Sequence, residues 1–258
     1  PVRGRDLLLW CRRLQRLRGE MVHRQTGAGH GNGFWSGSRD EGTDNIGHAG
    51  NLFAGLNLND WYAGWVTKWV SQDYMPGMGF TFGQNVIHHN PGGYYIWRPK
   101  KEKSYLRRAD PGFFINYYHN ASNGKFQQAD LYLFPVYLFF QDNSFLEVSL
   151  FPTWQNIDFG FEPLGILVPE GRYFYTRKFV QYNTDRSRKL SGDISANFGK
   201  FYDGRLLTLT TGLRIAPMPH AALTLDYELN RARSLGENDE DKDVHLYSGG
   251  LRLALNPH

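Results

Sequence analysis

The chain has 258 residues, 41% of them hydrophobic and 16% aromatic, with a formal net charge of +4 at pH 7. Residues 1–26 carry seven arginines against two carboxylates, a net charge of +5, so residues 27–258 sum to −1 and lack the basic excess that favours binding to nucleic acid. The mean hydropathy is −0.52 and no stretch approaches the roughly 20 apolar residues of a spanning helix, which excludes a helical membrane protein.

Residues 1–50 differ in composition from the rest of the chain. Leucines recur at helical spacing in the arginine-rich part, residues 1–26. Residues 27–50 are glycine-rich and polar without periodicity, which is typical of a loop or of disorder. We therefore expect residues 1–50 to be a leader outside the barrel domain, disordered or foreign to it, and residues 51–258 to form that domain.

From residue 51 onward, apolar and polar residues alternate in about eleven predicted strands, including short ones at 80–87 and 93–98. The clearest alternation is in 189–199, 205–215 and 220–230. In the last of these, Leu223 and Leu225 lie on one face, and Thr224 and Asp226 lie on the other. Segments of about 11 residues match strands that cross a bilayer at a tilt, whereas strands of soluble sheets average about 5–6.

These strands predict an all-β fold, specifically an antiparallel up-and-down transmembrane-type β-barrel of which the chain holds about eleven strands. Short turns such as Asp203-Gly204 alternate with longer polar loops such as 232–243, as at the two ends of outer-membrane barrels. The polar faces supply the lumen-facing candidates, which are Thr208, Thr210, Arg214, Thr224, Asp226 and Glu228. Arg214 is expected to pair with Asp226 or Glu228 on the neighbouring strand.

The predicted strand 126–140 departs from this pattern because it is apolar on both faces. Pro135 within it cannot donate to a backbone ladder and therefore requires an edge, a bulge or a bend. Such a strand is expected either to be covered from inside or to belong to a packed core.

Aromatic and basic residues are concentrated at the ends of predicted strands between residues 95 and 108. This composition is typical of a membrane-interface belt, where aromatic rings and snorkelling Arg or Lys side chains meet the headgroups. The candidate belt residues are Tyr95, Trp97, Arg98, Arg107 and Arg108.

No motif in the chain indicates catalysis, a metal site or a cofactor. His88 and His89 are adjacent, and neighbours on a strand point to opposite faces, so at most one of them could line a given site. Asp226 and Glu228 have a spacing that two catalytic carboxylates could use, but lumen charges are the more common explanation. We predict no catalytic residues, no metal and no cofactor.

Five short motifs point to a known type of domain. They are Pro76-Gly77-x-Gly79-Phe80, Tyr95-x-Trp97-Arg98-Pro99, Pro169-x-Gly171-x-Tyr173, Gly199-x-Phe201-Tyr202-x-Gly204 and Leu213-Arg214-x-x-Pro217. Together they resemble an uncharacterised bacterial outer-membrane β-barrel domain that usually follows a family-9-type carbohydrate-binding module in long exported proteins of Gram-negative bacteria. The resemblance spans about residues 51–257. It implies the outer membrane as location, and a chain that is a fragment of a longer barrel.

We therefore expect an outer-membrane pore or anchor without catalysis, whose partners are the lipid bilayer and carbohydrate. Two alternatives remain open. A soluble β-sandwich or lectin-like module would stack sugars on Trp61, Trp65, Trp69 and Trp97. An envelope glycan hydrolase would need an acid–base pair, for which only Asp226 with Glu228 or His88 with His89 are available.

Overall fold

A computed structural model describes residues 29–39, 45–75, 83–101 and 104–254. Within these ranges the protein is all-β and antiparallel, as predicted, apart from one short 3-10 helix at Pro163–Gly165. The strands are β1 Gly29–Arg39, β2 Ile46–Asn57, β3 Trp61–Val70, β4 Val86–Tyr95, β5 Leu106–Ala109, β6 Gly112–Asn120, β7 Phe126–Phe140, β8 Phe145–Ile157, β9 Gly171–Asn183, β10 Leu190–Phe201, β11 Gly204–Met218, β12 Ala221–Leu235 and β13 Glu240–Leu253. No helix in the described part is long and apolar enough to cross a membrane.

The strands form one 13-stranded sheet in the order β1-β2-β3-β4-β6-β7-β8-β9-β10-β11-β12-β13, with β5 beside β7. Among the described residues the order is open, so a closed barrel is not observed, and the predicted barrel, of which the chain was expected to hold only a part, stays a prediction. The chain divides into two compact units. Of the described residues, those between 29 and 92 and those at 116–127 form unit 1, and those between 93 and 115 and between 128 and 254 form unit 2.

The prediction that residues 27–50 form a loop is wrong for 29–39 and 46–50, which belong to β1 and β2. β1 pairs with β2 along its whole length, from Gly29 opposite Leu56 to Arg39 opposite Ile46. Continuous backbone hydrogen bonding therefore stabilises a strand whose own side chains show no clear period. The predicted helical spacing within residues 1–26 lies outside the described residues, and the leader assignment as a whole stays a prediction.

The region 80–98 also differs from prediction, because β4 is one strand at 86–95 rather than two strands at 80–87 and 93–98. The start of the first predicted strand, 80–82, lies outside the described residues. β5 was not predicted, since four residues are too few to show a period. His88 and His89 consequently lie within a strand.

Burial along the strands of unit 2 is inverted relative to a soluble sheet. The apolar positions are open, with Leu225 47% and Ile194 51% exposed, whereas the opposite face buries Glu147 to 6% and Arg177 to 9% exposure. Soluble proteins bury their apolar residues and leave charged residues in water. Unit 2 therefore has an exposed apolar face and a sheltered polar face.

Each unit has a small apolar core. In unit 1, Ala49, Val70 and Val86 pack with Tyr74 and Tyr118. In unit 2, the connection between β8 and β9, residues 158–170, supplies Ile166 and Val168, which pack against Leu206, Ala232 and Leu235. This connection contacts the β12–β13 turn, where the backbone N–H of Glu237 donates to the carbonyl oxygen of Leu167 at 3.1 Å. Packed apolar side chains thereby connect the β8–β9 connection to β11 and β12.

Candidate functional site

The sheltered face of unit 2, called the polar face below, is built from rows of residues that oppose each other across the strands. One row crosses five strands, and its members are Glu147, Gln181, Ser195, Thr210 and Glu228. The next row runs Ser149, Phe179, Asn197, Thr208 and Asn230. Because residues in register share a face of the sheet, the polar side chains of neighbouring strands are brought within reach of each other.

Three of the lumen-facing candidates lie in these rows. The Thr208 hydroxyl donates to Asn230 Oδ1 at 2.8 Å, and the Asn230 amide donates in turn to Glu228 Oε1. Thr210 lies between Ser195 and Glu228 in register. The structure therefore brings Thr208 and Glu228 together through Asn230.

A second network surrounds Glu147, which was not among the predicted candidates. The Tyr132 hydroxyl donates to Glu147 Oε1 at 2.6 Å, and the fully buried Ser149 hydroxyl donates to the same oxygen. A glutamate followed two residues later by a serine on one face of a predicted strand is the sequence signal that could have identified this site.

Arg177 is a buried cation that binds neutral groups. Its Nε donates to Asn197 Oδ1 at 2.7 Å, and its Nη2 donates to the Asn197 carbonyl oxygen at 2.8 Å. The guanidinium also lies 5.2 Å from the centroid of the Phe201 ring. The charge is thus held by an amide, a carbonyl and an aromatic face.

The structure accounts for the apolar residues on both faces of β7. Its register against β8 shifts between Leu133 and Val136, which confirms the predicted irregularity at Pro135. An aromatic cluster lies at the polar face on β7 and β8, and its members are Tyr132, Phe134, Tyr137, Phe139, Phe145 and Phe151. Phe134 is only 4% exposed. On the polar face, the rings of β7 therefore pack against each other and against the rings of β8.

A cavity of about 300 Å³ lies on the polar face beside the β9–β10 loop, and it contains three more of the lumen-facing candidates. Its charged and hydroxyl-bearing lining includes Arg186, Ser191, Asp193, Arg214, Thr224 and Asp226. Gly212 also lines it and stands opposite Asp193 on one side and Asp226 on the other.

The predicted pairing of Arg214 with Asp226 or Glu228 is wrong. Arg214 stands opposite Thr224 and donates to the Arg186 carbonyl oxygen at 3.1 Å. Asp226 lies one row away and accepts a bond from the Ser248 hydroxyl at 3.3 Å. The two-residue offset along the strand separates charges that share a face.

The β7–β8 turn next to this loop holds an acidic side chain in a dense set of bonds. The Ser144 hydroxyl and backbone N–H both donate to Asp142, and Tyr105 and Arg188 each contact it at 3.0 Å. These bonds to the carboxylate, those from Ser144 first, lower the pKa of Asp142 to about 2. The pKa of Asp185 in the neighbouring loop is lowered as well, chiefly by the Ser187 backbone N–H and by Asn143.

The candidate belt residues all lie in unit 2. Trp97 is 46% exposed and forms an isolated bridge with Ala109, while Arg98 is exposed beside it. Arg107 donates to Asn143 Oδ1 at 2.9 Å, and Tyr95 donates its backbone N–H to the Pro111 carbonyl oxygen.

Arg108 is held differently from the other belt candidates. Its Nη2 lies 2.6 Å from an oxygen of buried Asp110, and its guanidinium lies 4.6 Å from the Phe139 ring centroid. Arg108 is therefore fixed against the aromatic cluster.

In unit 1 the two adjacent histidines point to opposite faces, as strand geometry predicts. His88 bonds Asn116 at 2.9 Å and stacks on Tyr118. His89 bonds the Thr67 hydroxyl at 3.0 Å, and its Nε2 lies 3.3 Å from His119 Nε2. Across the described ranges, no group of three or more His, Cys, Asp or Glu side chains could hold a metal ion.

Comparison of the chain with protein-family models, with curated proteins and with solved structures returned no match. The two faces of the sheet and the side chains they carry are therefore the basis for assigning a function.

Proposed function

We propose that this chain forms part of the wall of an outer-membrane β-barrel in a Gram-negative envelope, serving as a pore or a membrane anchor. The observation that carries the proposal is the inverted burial of unit 2. Apolar side chains such as Ile194 and Leu225 are exposed on one face, whereas Glu147 and Arg177 on the other face are buried and hydrogen-bonded, which is the arrangement expected of strands with lipid on one side and water on the other.

The apolar face supports contact with lipid. Rows of exposed apolar residues cross β10 to β13, as in the row Leu190, Ile215, Leu223 and Leu251. In water a contiguous surface of this kind is an association hazard, since burying apolar area is favourable by about 25 cal/mol per Å². Against acyl chains the same surface is stabilising.

The polar face could not occupy the same position. On the lipid side near the bilayer midplane Arg177 would cost about 2–4 kcal/mol, and Glu147 and Glu228 would also be unfavourable, although by less. On the inner side their hydrogen bonds to Tyr132, Asn197 and Asn230 are compatible with a wet lumen. The exposed Trp97 and Arg98, and the resemblance to outer-membrane barrel domains, support the same location.

Labels on two adjacent residues of β10 test this orientation. Ile194→Cys and Ser195→Cys are each introduced into the full chain with Cys11, its only cysteine, replaced by Ser. Each protein is labelled with a polarity-sensitive fluorophore and refolded into liposomes. We expect spin-labelled acyl chains to quench the label at 194 and aqueous iodide to quench the label at 195.

Quenching of both labels by iodide would overturn the proposal, as would recovery of the full chain as a soluble monomer without detergent. The latter result would favour a soluble sugar-binding module, in which the exposed Trp61, Trp65 and Trp97 are the stacking surfaces. Conductance across planar bilayers then separates a pore from an anchor if the labels behave as expected.

A further inference from the structure

The cavity beside the β9–β10 loop combines two cationic and two anionic side chains. Arg186 and Arg214 supply the positive charges, and Asp193 and Asp226 supply the negative ones. A simple anion placed there would face two carboxylates, and a simple cation would face two guanidinium groups. The cavity therefore suits a ligand that carries both signs of charge.

Gly212 allows the Asp193 carboxylate to lie over the β11 backbone, next to the position that pairs with Asp226. It stands between Asp193 and Asp226 in register, and a Cβ at this position would come within 2.8 Å of Asp193 Oδ1. A methyl group here would displace the carboxylate or occupy the space beside it. The glycine thus fixes where the Asp193 carboxylate lies, and a side chain at 212 would move one of the two acids that would face a ligand.

Ser191 gives a separate indication that a ligand belongs here. It lines the cavity, is 3% exposed, and its buried hydroxyl has no hydrogen-bond partner among the described residues. A buried polar group left unsatisfied costs about 1–3 kcal/mol. A bound molecule with a donor or acceptor at this point would recover that cost.

The carboxylates that line the cavity make only weak contacts in the free protein. Arg186 lies 3.6 Å from Asp193 with its side chain 84% exposed, a geometry that contributes little stability. Asp226 accepts a bond of 3.3 Å from Ser248 on β13. These contacts can be exchanged for stronger ones to a ligand.

We propose that this cavity binds a small zwitterion with a primary ammonium and a carboxylate, as in a free amino acid, with the ammonium between Asp193 and Asp226 and the carboxylate at Arg186 and Arg214. Charge-assisted hydrogen bonds at both ends are about twice as strong as neutral ones, which favours a zwitterion over a neutral polyol. A volume of about 300 Å³ is at the lower limit of small-molecule sites and suits a ligand of this size. The inference goes beyond the membrane proposal and does not require it.

Equilibrium dialysis of the full chain in detergent against radiolabelled L-alanine measures the binding. Propionate, ethylammonium and glucose serve as competitors that carry only the anion, only the cation, or only hydroxyl groups. We expect saturable binding of L-alanine. Each of the three competitors should displace radiolabelled L-alanine only at concentrations about tenfold or more above those at which unlabelled L-alanine does so. No saturable L-alanine binding, or stronger competition by glucose, would overturn the proposal.

Four variants locate the site. Asp193→Asn and Asp226→Asn should each weaken L-alanine binding about tenfold or more, because each removes one charge that faces the ammonium. Gly212→Ala should weaken binding while all four charges remain. Ser191→Ala should weaken binding without lowering the thermal midpoint, because in the free protein the hydroxyl is unsatisfied.

Ser195→Ala, on the same strand and face but outside the cavity, is the control and should bind as the unmodified chain does. Equal binding by Ser191→Ala, Asp226→Asn and this control would contradict the assignment. Far-UV circular dichroism of each variant confirms folding. Because the dialysis needs no bilayer, its result is separate from that of the fluorescence-quenching experiment.

Discussion

Tyr132 of β7 donates its hydroxyl to the carboxylate of Glu147 on β8 over 2.6 Å, within an otherwise aromatic part of the polar face. Glu147 is 6% exposed, so its bonds replace the water that an exposed carboxylate would have. The pair shows how a charge is accommodated beside packed rings.

Removal of this bond should destabilise the fold. We expect Tyr132→Phe to lower the free energy of unfolding by about 1–3 kcal/mol, because Glu147 then loses a donor in a buried position. Urea titration of the full chain in detergent, followed by circular dichroism, gives the value. Tyr182→Phe is the control on the exposed face and should change stability by less than about 0.5 kcal/mol. Equal effects of the two substitutions would contradict this account.

Lysine should not be able to replace Arg177 without loss of stability. Arg177→Lys retains the charge but loses the planar arrangement in which Nε and Nη2 both bind Asn197. A loss of about 1–3 kcal/mol in the same urea titration is expected. Lys178→Arg, at the exposed neighbouring position, is the matched control and should be neutral. A neutral Arg177→Lys would show that the charge alone suffices.

The β7–β8 turn should weaken in acid. The pKa of Asp142 is lowered from 3.8 to about 2 in the folded protein, so its contribution is fully present above the unfolded value near 3.8. That contribution is lost as pH falls from about 3.8 through about 2. We expect Asp142→Asn to lower stability at pH 6 and to lose less stability than the unmodified chain across that acidic range.

Thermal midpoints measured between pH 6 and pH 2 test this expectation. Glu170→Gln, an exposed carboxylate between β8 and β9, serves as the control and should follow the unmodified chain. Parallel pH profiles for Asp142→Asn and the unmodified chain would argue against a role for the turn.

The connection 158–170 should contribute to the stability of unit 2. Ile166 is 1% exposed and packs with Val168, Leu206 and Leu235, so Ile166→Ala should cost about 2–5 kcal/mol. Leu167→Ala, next to it and 40% exposed, should cost less than about 0.5 kcal/mol. A small effect of both substitutions in urea unfolding would mean that the connection does not stabilise unit 2.

Alternation along β10, β11 and β12 was sufficient to predict the strands and which residues share a face. Thr208, Asp226 and Glu228 all lie on the polar face because a period of two depends only on backbone geometry. The Asp203-Gly204 turn was also evident, since its residue types favour the required conformation. These features are local and can be read from a few consecutive residues.

Features that depend on pairing between strands could not be predicted. β1 is a strand because β2 bonds its backbone, although Gly31 and Gly33 leave its own pattern weak. The partner of Arg214 depends on the register between β11 and β12 and on the path of the loop containing Arg186. A shift of two residues keeps the face but changes every contact, and no local pattern encodes it.

The two faces of unit 2 also impose different rules on how its sequence can vary. Leu223 and Leu225 on the apolar face need only remain apolar, so one aliphatic residue can replace another independently of its neighbours. Thr208, Asn230 and Glu228 are bonded in series, so a change at one leaves a donor or acceptor for the next to satisfy. Descendants of this sequence would therefore drift freely on one side of each strand and change in correlated groups on the other.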